Sequence, residues 1–160
     1  MSAAANKKTN PEKPLPLDRW VAYRFGLIAT RIGALATPAY RERHKLSTSA
    51  WRALAVIAHF EPLSAAMLSE HTRLDPSKVS RAIETLVARK LLTREKDPAD
   101  QRRAVLRLTP RGRDIYADVS ATVTRLEQQM TATLTAAERK ALWALLDKID
   151  AQVGRHPPPD

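Results

Sequence analysis

The stretch from Leu74 to Thr109 constrains the fold most, because a short amphipathic helix there runs into two strands with only a small loop between them. Asp75 is a residue type that accepts hydrogen bonds from the open amides of a helix start, and Pro76 follows at the first helical position, where its missing N–H is harmless. At 100° per residue, Val79, Ile83, Leu86 and Val87 gather on one side of this helix. Ser77, Arg81, Glu84 and Thr85 fall opposite, with Lys78 and Ser80 at the margins. Leu91–Glu95 and Ala104–Thr109 then read as strands, with Leu106 and Leu108 alternating against Val105 and Arg107. Between them Lys96–Arg103, with Asp97, Pro98 and Asp100, reads as a hairpin loop whose exit carries Arg102 and Arg103.

The flanks read as helices. Asp18 is expected to cap a first one carrying Trp20, Tyr23, Leu27, Ile28, Ile32 and Leu35 at helical spacing, ended or kinked by Pro38. Ser47 or Thr48 caps a second through Trp51, Leu54 and Ile57, stopping near Pro62. Ser64 begins a short third with Met67 and Leu68. Thr109-Pro110 opens a long helix with Ile115, Val119, Val123, Leu126, Met130 and Leu134 along one face. Thr135-Ala136-Ala137-Glu138 has the spacing of a capping box ahead of a last helix with Leu142, Leu145, Leu146, Ile149 and Val153. Residues 1–16, with three prolines and no apolar period, read as a disordered arm, and 154–160 as a short tail.

Charge indicates the partner. The 160 residues hold 27 Lys and Arg against 17 Asp and Glu. From His71 to Arg113 there are twelve basic and five acidic residues, a net +7, against +3 for the rest of the chain. A basic centre between nearly balanced flanks points to a polyanion. The chain has no Cys, which excludes disulfides, thiol redox sensing and thiolate metal sites. Four scattered His form no ligand spacing, and there is no Gly-rich phosphate loop, so no metal or cofactor is expected. No paired carboxylates or nucleophile–base pair suggests an enzyme. Apolar runs are broken by charges well short of a membrane helix, and no secretory pattern opens the chain, so a cytoplasmic location, nucleoid-associated on DNA, is expected.

Helix, turn, helix and a hairpin with a basic tip make a winged helix-turn-helix, in a mainly α chain with a small β-wing. The major groove admits one α-helix, whose exposed front reads base edges. Ser77 and Ser80 suit phosphates or bases, Arg81 a guanine or a phosphate, and Lys78 a phosphate. Arg102 or Arg103 suits a minor groove, with Asp100 placed to orient it by a charge-assisted bond. Arg103 has a second reading as a solvated loop residue. Glu84 is expected to pair with a nearby cation rather than with cytosine.

The apolar stripes of the first and last helices exceed what a small winged helix buries. They are read as N- and C-terminal dimerisation helices, about 17–40 and 111–153, around a core of about 47–110. A two-fold homodimer sets two such helices about 34–36 Å apart, one turn of double-stranded DNA, and so requires a palindromic site. The competing reading is one monomeric bundle.

The run Leu74-Asp75-Pro76-Ser77-Lys78-Val79-Ser80-Arg81 is followed by Leu86-Val87-Ala88-Arg89 and by Arg94-Glu95-Lys96-Asp97-Pro98-Ala99-Asp100-Gln101-Arg102-Arg103. It closes on Leu106-Arg107-Leu108-Thr109-Pro110-Arg111-Gly112. Together these segments resemble the MarR (multiple antibiotic resistance regulator) family, over roughly 17–153. The resemblance implies a homodimeric transcriptional repressor released by a small ligand, with Ser77, Lys78, Ser80 and Arg81 on the recognition helix and Arg102 at the wing tip, supported by Asp100. It implies an effector of the small aromatic carboxylate class, with Tyr23, Arg31, Tyr40, His44 and Trp51 as candidate contacts; Trp51 has a second reading as core. Arg73 and Lys90 depart from the pattern by standing where Gly is usual, and Thr72 by replacing an apolar residue. The alternative function is unspecific or architectural nucleic-acid binding, which shares the charge but needs no sequence reading.

Overall fold

The computed structural model describes residues 15–96 and 104–154. It divides into a first unit ending at Leu35 and a second beginning at Ala36.

A 3₁₀ turn, Leu17–Arg19, lies in the first unit and precedes helix α1, Val21–Arg41, whose residues from Ala36 onward belong to the second unit. The Trp20 indole N–H donates to the Leu15 carbonyl at 2.9 Å. Asp18 does not cap α1 as the sequence suggests; it lies inside the 3₁₀ turn, and the helix starts three residues later. Pro38 does not end α1 either. A proline ring removes one helical bond, but the carbonyl of Pro38 still accepts from Glu42 N at 3.1 Å and the next turn is pinned by the buried Tyr40.

The second unit is built from α2 (Thr48–Phe60), α3 (Ala65–Thr72), α4 (Pro76–Ala88), β1 (Leu92–Lys96), β2 (Ala104–Leu108), α5 (Pro110–Met130) and α6 (Ala136–Val153). Each helix start has a polar cap that satisfies an open amide: Ser47 for Ala50 N, Ser64 for Met67 N, Asp75 for Lys78 N and Thr109 for Gly112 N. Thr135 and Glu138 complete the capping box of α6. Between the two candidate caps of α2, the structure selects Ser47.

The end of α4 shows why its closing residue matters. Lys90 N donates to Val87 O and Leu91 N to Leu86 O, both at 2.9 Å, which is a Schellman closure with Lys90 in the left-handed region at φ 57°. Arg73 closes α3 at φ 52°. The left-handed turns that usually carry Gly therefore persist with long basic side chains in them. Thr72 is buried at 1% exposure, and its hydroxyl is satisfied by the Leu68 carbonyl at 2.6 Å, which lets a polar residue stand in an apolar site.

Strands β1 and β2 pair antiparallel, with Leu92 opposite Leu108 and Arg94 opposite Leu106. They are one residue tighter at the base than the sequence suggests. Leu91 N is engaged in closing α4, and the Thr109 side chain turns to cap α5. Leu63 adds a bridge to Leu106, whose N–H donates to the Leu63 carbonyl at 2.9 Å. The core beneath is formed by Leu46, Leu54, Ile57, Leu68, Val79, Ile83, Leu86, Leu91, Leu106 and Val119, all buried.

Candidate nucleic-acid interface

Helix α4 separates an apolar back from a polar front. Val79, Ala82, Ile83 and Leu86 are buried; Ser77, Lys78, Ser80, Arg81, Glu84 and Thr85 are exposed. Ala82 takes the buried place that periodicity gives to Val87, which is 38% exposed, because the core lies slightly toward the Ala82 side of the stripe.

The front is a chain of hydrogen bonds. The Asp75 carboxylate accepts from Ser77 Oγ at 2.6 Å and from Lys78 N at 2.9 Å through Oδ1, and pairs through Oδ2 with Lys78 Nζ at 2.9 Å. The Ser77 hydroxyl, then the Lys78 ammonium and amide, hold the Asp75 carboxyl far below the usual carboxylate range. Arg81 donates through Nε to Ser77 O at 3.4 Å and through Nη2 to Ser77 Oγ at 3.3 Å. Ser80 Oγ donates to Glu84 Oε1 at 3.2 Å, so among the described residues the partner of Glu84 is a hydroxyl rather than the expected cation. Four candidate contacts, Ser77, Lys78, Ser80 and Arg81, thus come together on one solvent-facing surface. Asp100, Arg102 and Arg103 lie outside the described residues.

Two hollows flank α4. One of about 360 Å³ lies between α3, α4 and the hairpin, against Val79, Ile83, Arg94 and Leu106. The other, about 200 Å³, lies between α4 and the start of α2, against Ser47, Ser49, Lys78 and Arg81.

The far end of α4 is clamped by contacts that sequence spacing does not reveal. Arg89 donates to the Lys45 carbonyl at 3.1 Å and to the His44 carbonyl at 2.7 Å. His44 Nε2 meets Asp118 Oδ2 at 2.6 Å, and Arg43 meets Asp118 Oδ1 at 3.0 Å. The angle of α4 is in this way tied to the end of α1 and to α5. Glu61 adds a second tie at the base of the hairpin, accepting from Leu108 N at 2.6 Å and pairing with Arg113. These partners are 44 to 75 residues apart, and no local pattern announces them.

The candidate effector contacts are divided between the two units. Tyr23 and Arg31 belong to the first unit and are exposed. Tyr40 is buried, its hydroxyl 3.0 Å from Thr37 Oγ1 and 3.2 Å from Thr48 Oγ1. Its ring stacks on Trp51 with centroids 6.0 Å apart, and Trp51 stacks on Tyr116. His44 is engaged with Asp118. No residue of α6 is buried; Leu142, Trp143, Leu145 and Val153 all face solvent, as do Trp20, Leu27 and Ile28 of the first unit. Among the described residues no helix is long and apolar enough to cross a membrane, and no three acidic or His side chains converge to hold a metal.

Comparison with known proteins adds to this geometry. A family model described as MarR family matches residues 44–103. A Thauera aromatica protein whose name assigns it to regulation of the hcr operon is 33% identical over 104 residues, covering 65% of this chain. The chain spans 63% of that relative's length, a little under two thirds. A crystal structure of a MarR-family transcriptional regulator from Silicibacter pomeroyi superposes with a TM-score of 0.79 at 30% identity, over 89% of this chain and 96% of the other. Bordetella bronchiseptica BpsR, whose structure is described as explaining regulation of its DNA binding by 6-hydroxynicotinic acid, superposes with a TM-score of 0.74 at 27% identity, over 86% and 98% of the two chains.

Proposed function

This chain belongs to the MarR family, and from that premise we propose that it is a cytoplasmic transcriptional repressor whose homodimer reads a palindromic site in double-stranded DNA, with no enzymatic step. The observation that carries the reading is the solvent-facing front of α4, where Ser77, Lys78, Ser80 and Arg81 stand together above a fully apolar back. A helix with that division, in a stretch of net +7, is built to lie in a groove lined with phosphates. The exposed apolar residues of α6 and of residues 20–35 support self-association, since large contiguous apolar faces rarely stay open to water. Arg102 or Arg103, oriented by Asp100, takes the minor-groove role.

The repressor is released by a small aromatic acid. BpsR, a relative regulated by 6-hydroxynicotinic acid, supports the ligand class. The hollow beside α4 supports a place for it, with Arg94 for a carboxylate and Val79, Ile83 and Leu106 for a ring. It fits better than Tyr40, whose hydroxyl and ring are already engaged in the core. Release requires the acid to prefer the unbound state, and near-complete switching requires about a 10⁴-fold preference.

Selection of duplexes from random DNA, followed by competition binding, tests the central reading. One palindrome should be preferred over bulk DNA by at least ~10³. Arg81→Ala should cost about 1–3 kcal/mol on that palindrome and relax its base preference. Sedimentation should show a dimer at micromolar concentration. A monomer, or equal affinity for all duplexes, refutes the proposal; the latter outcome is the unspecific binding that the chain's charge alone would give.

A further inference from the structure

The first turn of α4 carries its own counter-anion. Capping needs one side-chain oxygen, and in Asp75 that oxygen is Oδ1, which takes the Lys78 amide and the Ser77 hydroxyl. Asn caps a helix as well as Asp does. The second oxygen, Oδ2, has no part in the cap and lies 2.9 Å from Lys78 Nζ. The same carboxylate draws in the Ser77 hydroxyl on which Arg81 Nη2 rests at 3.3 Å. Both cations that face a groove in the reading above are therefore gathered, directly or through Ser77, around one negative charge at the tip of the helix. A phosphate presents the same chemistry to these donors, a compact anion accepting from a hydroxyl, an ammonium and a guanidinium.

We propose that Asp75 is an intrachain substitute for a DNA phosphate, a residue that holds Lys78 in reserve and lowers the affinity of the protein for every duplex. The inference rests on the DNA-binding reading. Any duplex that takes the Lys78 ammonium must first break the Asp75 pair and then bring its own phosphates close to a carboxylate. An exposed ion pair of this kind corresponds to about two- to fivefold in an equilibrium, which becomes about four- to twenty-five-fold in a dimer that breaks two of them. The effect restrains sequence-independent binding, the part of affinity that phosphate contacts supply.

Asp75→Asn separates this role from the cap, because it retains the Oδ1 acceptor and removes the charge. The full chain, its Asp75→Asn and Lys78→Ala variants and the double variant are titrated into a fluorescent duplex of random sequence at 50 mM salt, with circular dichroism to follow helix content. Asp75→Asn should bind about four- to twenty-five-fold more tightly with helix content unchanged. In the Lys78→Ala background the same substitution should gain less than about twofold. A merely structural cap can only lose affinity when weakened, so a gain has no structural explanation. No gain in a folded Asp75→Asn protein overturns the inference, as does an equal gain with Lys78 absent, which would make Asp75 a source of diffuse repulsion. If Asp75→Asn does not fold, Asp75→Ser, a neutral residue that still caps, gives the same comparison. If the unaltered chain binds no duplex at all, the DNA-binding reading fails and this inference with it, a result distinct from an unaltered chain that binds and a variant that gains nothing.

Discussion

Gly112→Ala is the substitution that the packing of this fold should tolerate least for its size. Gly112 lies in the first turn of α5, directly under the junction between α4 and β1. A Cβ there would stand 2.2 Å from the Leu91 carbonyl oxygen and 3.1 Å from its carbon. Real contacts of this type do not fall below 3.0 Å, so helix and junction must part by about 0.8 Å, and the obstacle is backbone. The Leu91 carbonyl accepts Thr109 N at 3.1 Å, and Thr109 Oγ1 donates to the Lys90 carbonyl at 2.8 Å. Parting strains both bonds. Forced overpacking costs about 1–3 kcal/mol, and each weakened hydrogen bond about 0.5–1.5 kcal/mol. The expected destabilisation is about 2–6 kcal/mol. For a chain of this size that lowers Tm by about 4–24 °C. Thermal and urea denaturation at one fixed protein concentration measure it, and Gly112→Ser, which adds the same Cβ, should behave alike. Because the junction carries the hairpin, DNA affinity should fall in parallel. A loss below about 0.5 kcal/mol would refute the argument, since it would mean that α5 can move off the junction freely.

Two further predictions concern helix ends. Lys90→Gly removes a side chain from a left-handed position at φ 57°, and after the loss of chain entropy is counted it should stabilise the fold by about 0.5–1 kcal/mol; a lower urea midpoint than the unaltered chain would contradict the strain at that residue. Glu138 has its carboxyl held below its ordinary value of 4.5 by the Thr135 backbone amide and then by the Thr135 hydroxyl. A lowered folded-state value means that the charged cap stabilises α6 above that ordinary value and loses its effect as pH falls through the depressed one. The stability difference between the unaltered chain and Glu138→Ala should therefore be full at pH 7 and close on acidification below 4.5, as read by urea midpoints across pH; a difference that grows on acidification would reverse the assignment.

Much of this protein is legible locally. Caps such as Asp75, Thr109 and Thr135 mark helix starts because their short side chains reach amides within three residues, and the stripes of α4 and α5 mark which side is apolar because helical period is a property of the backbone alone. The clustering of Ser77, Lys78, Ser80 and Arg81 follows from the same period. The α1 boundaries show where local reading stops: a lone Pro38 predicts an end or a kink, while the helix runs on through it to Arg41 and buries Tyr40 two residues later.

What tertiary structure alone decides is how the exposed front of α4 is held. The Arg89 bonds to the carbonyls of His44 and Lys45, the Asp118 contacts with His44 and Arg43, and the Glu61 tie to Leu108 and Arg113 join residues far apart in the chain. Their partners are backbone carbonyls or charges with no sequence period, so nothing in the order of residues selects them until the core has brought the segments together. The need for Gly at 112 is of the same kind. The residue has no unusual backbone angle of its own, and only the approach of the Leu91 carbonyl, a contact between segments 21 residues apart, forbids a side chain there.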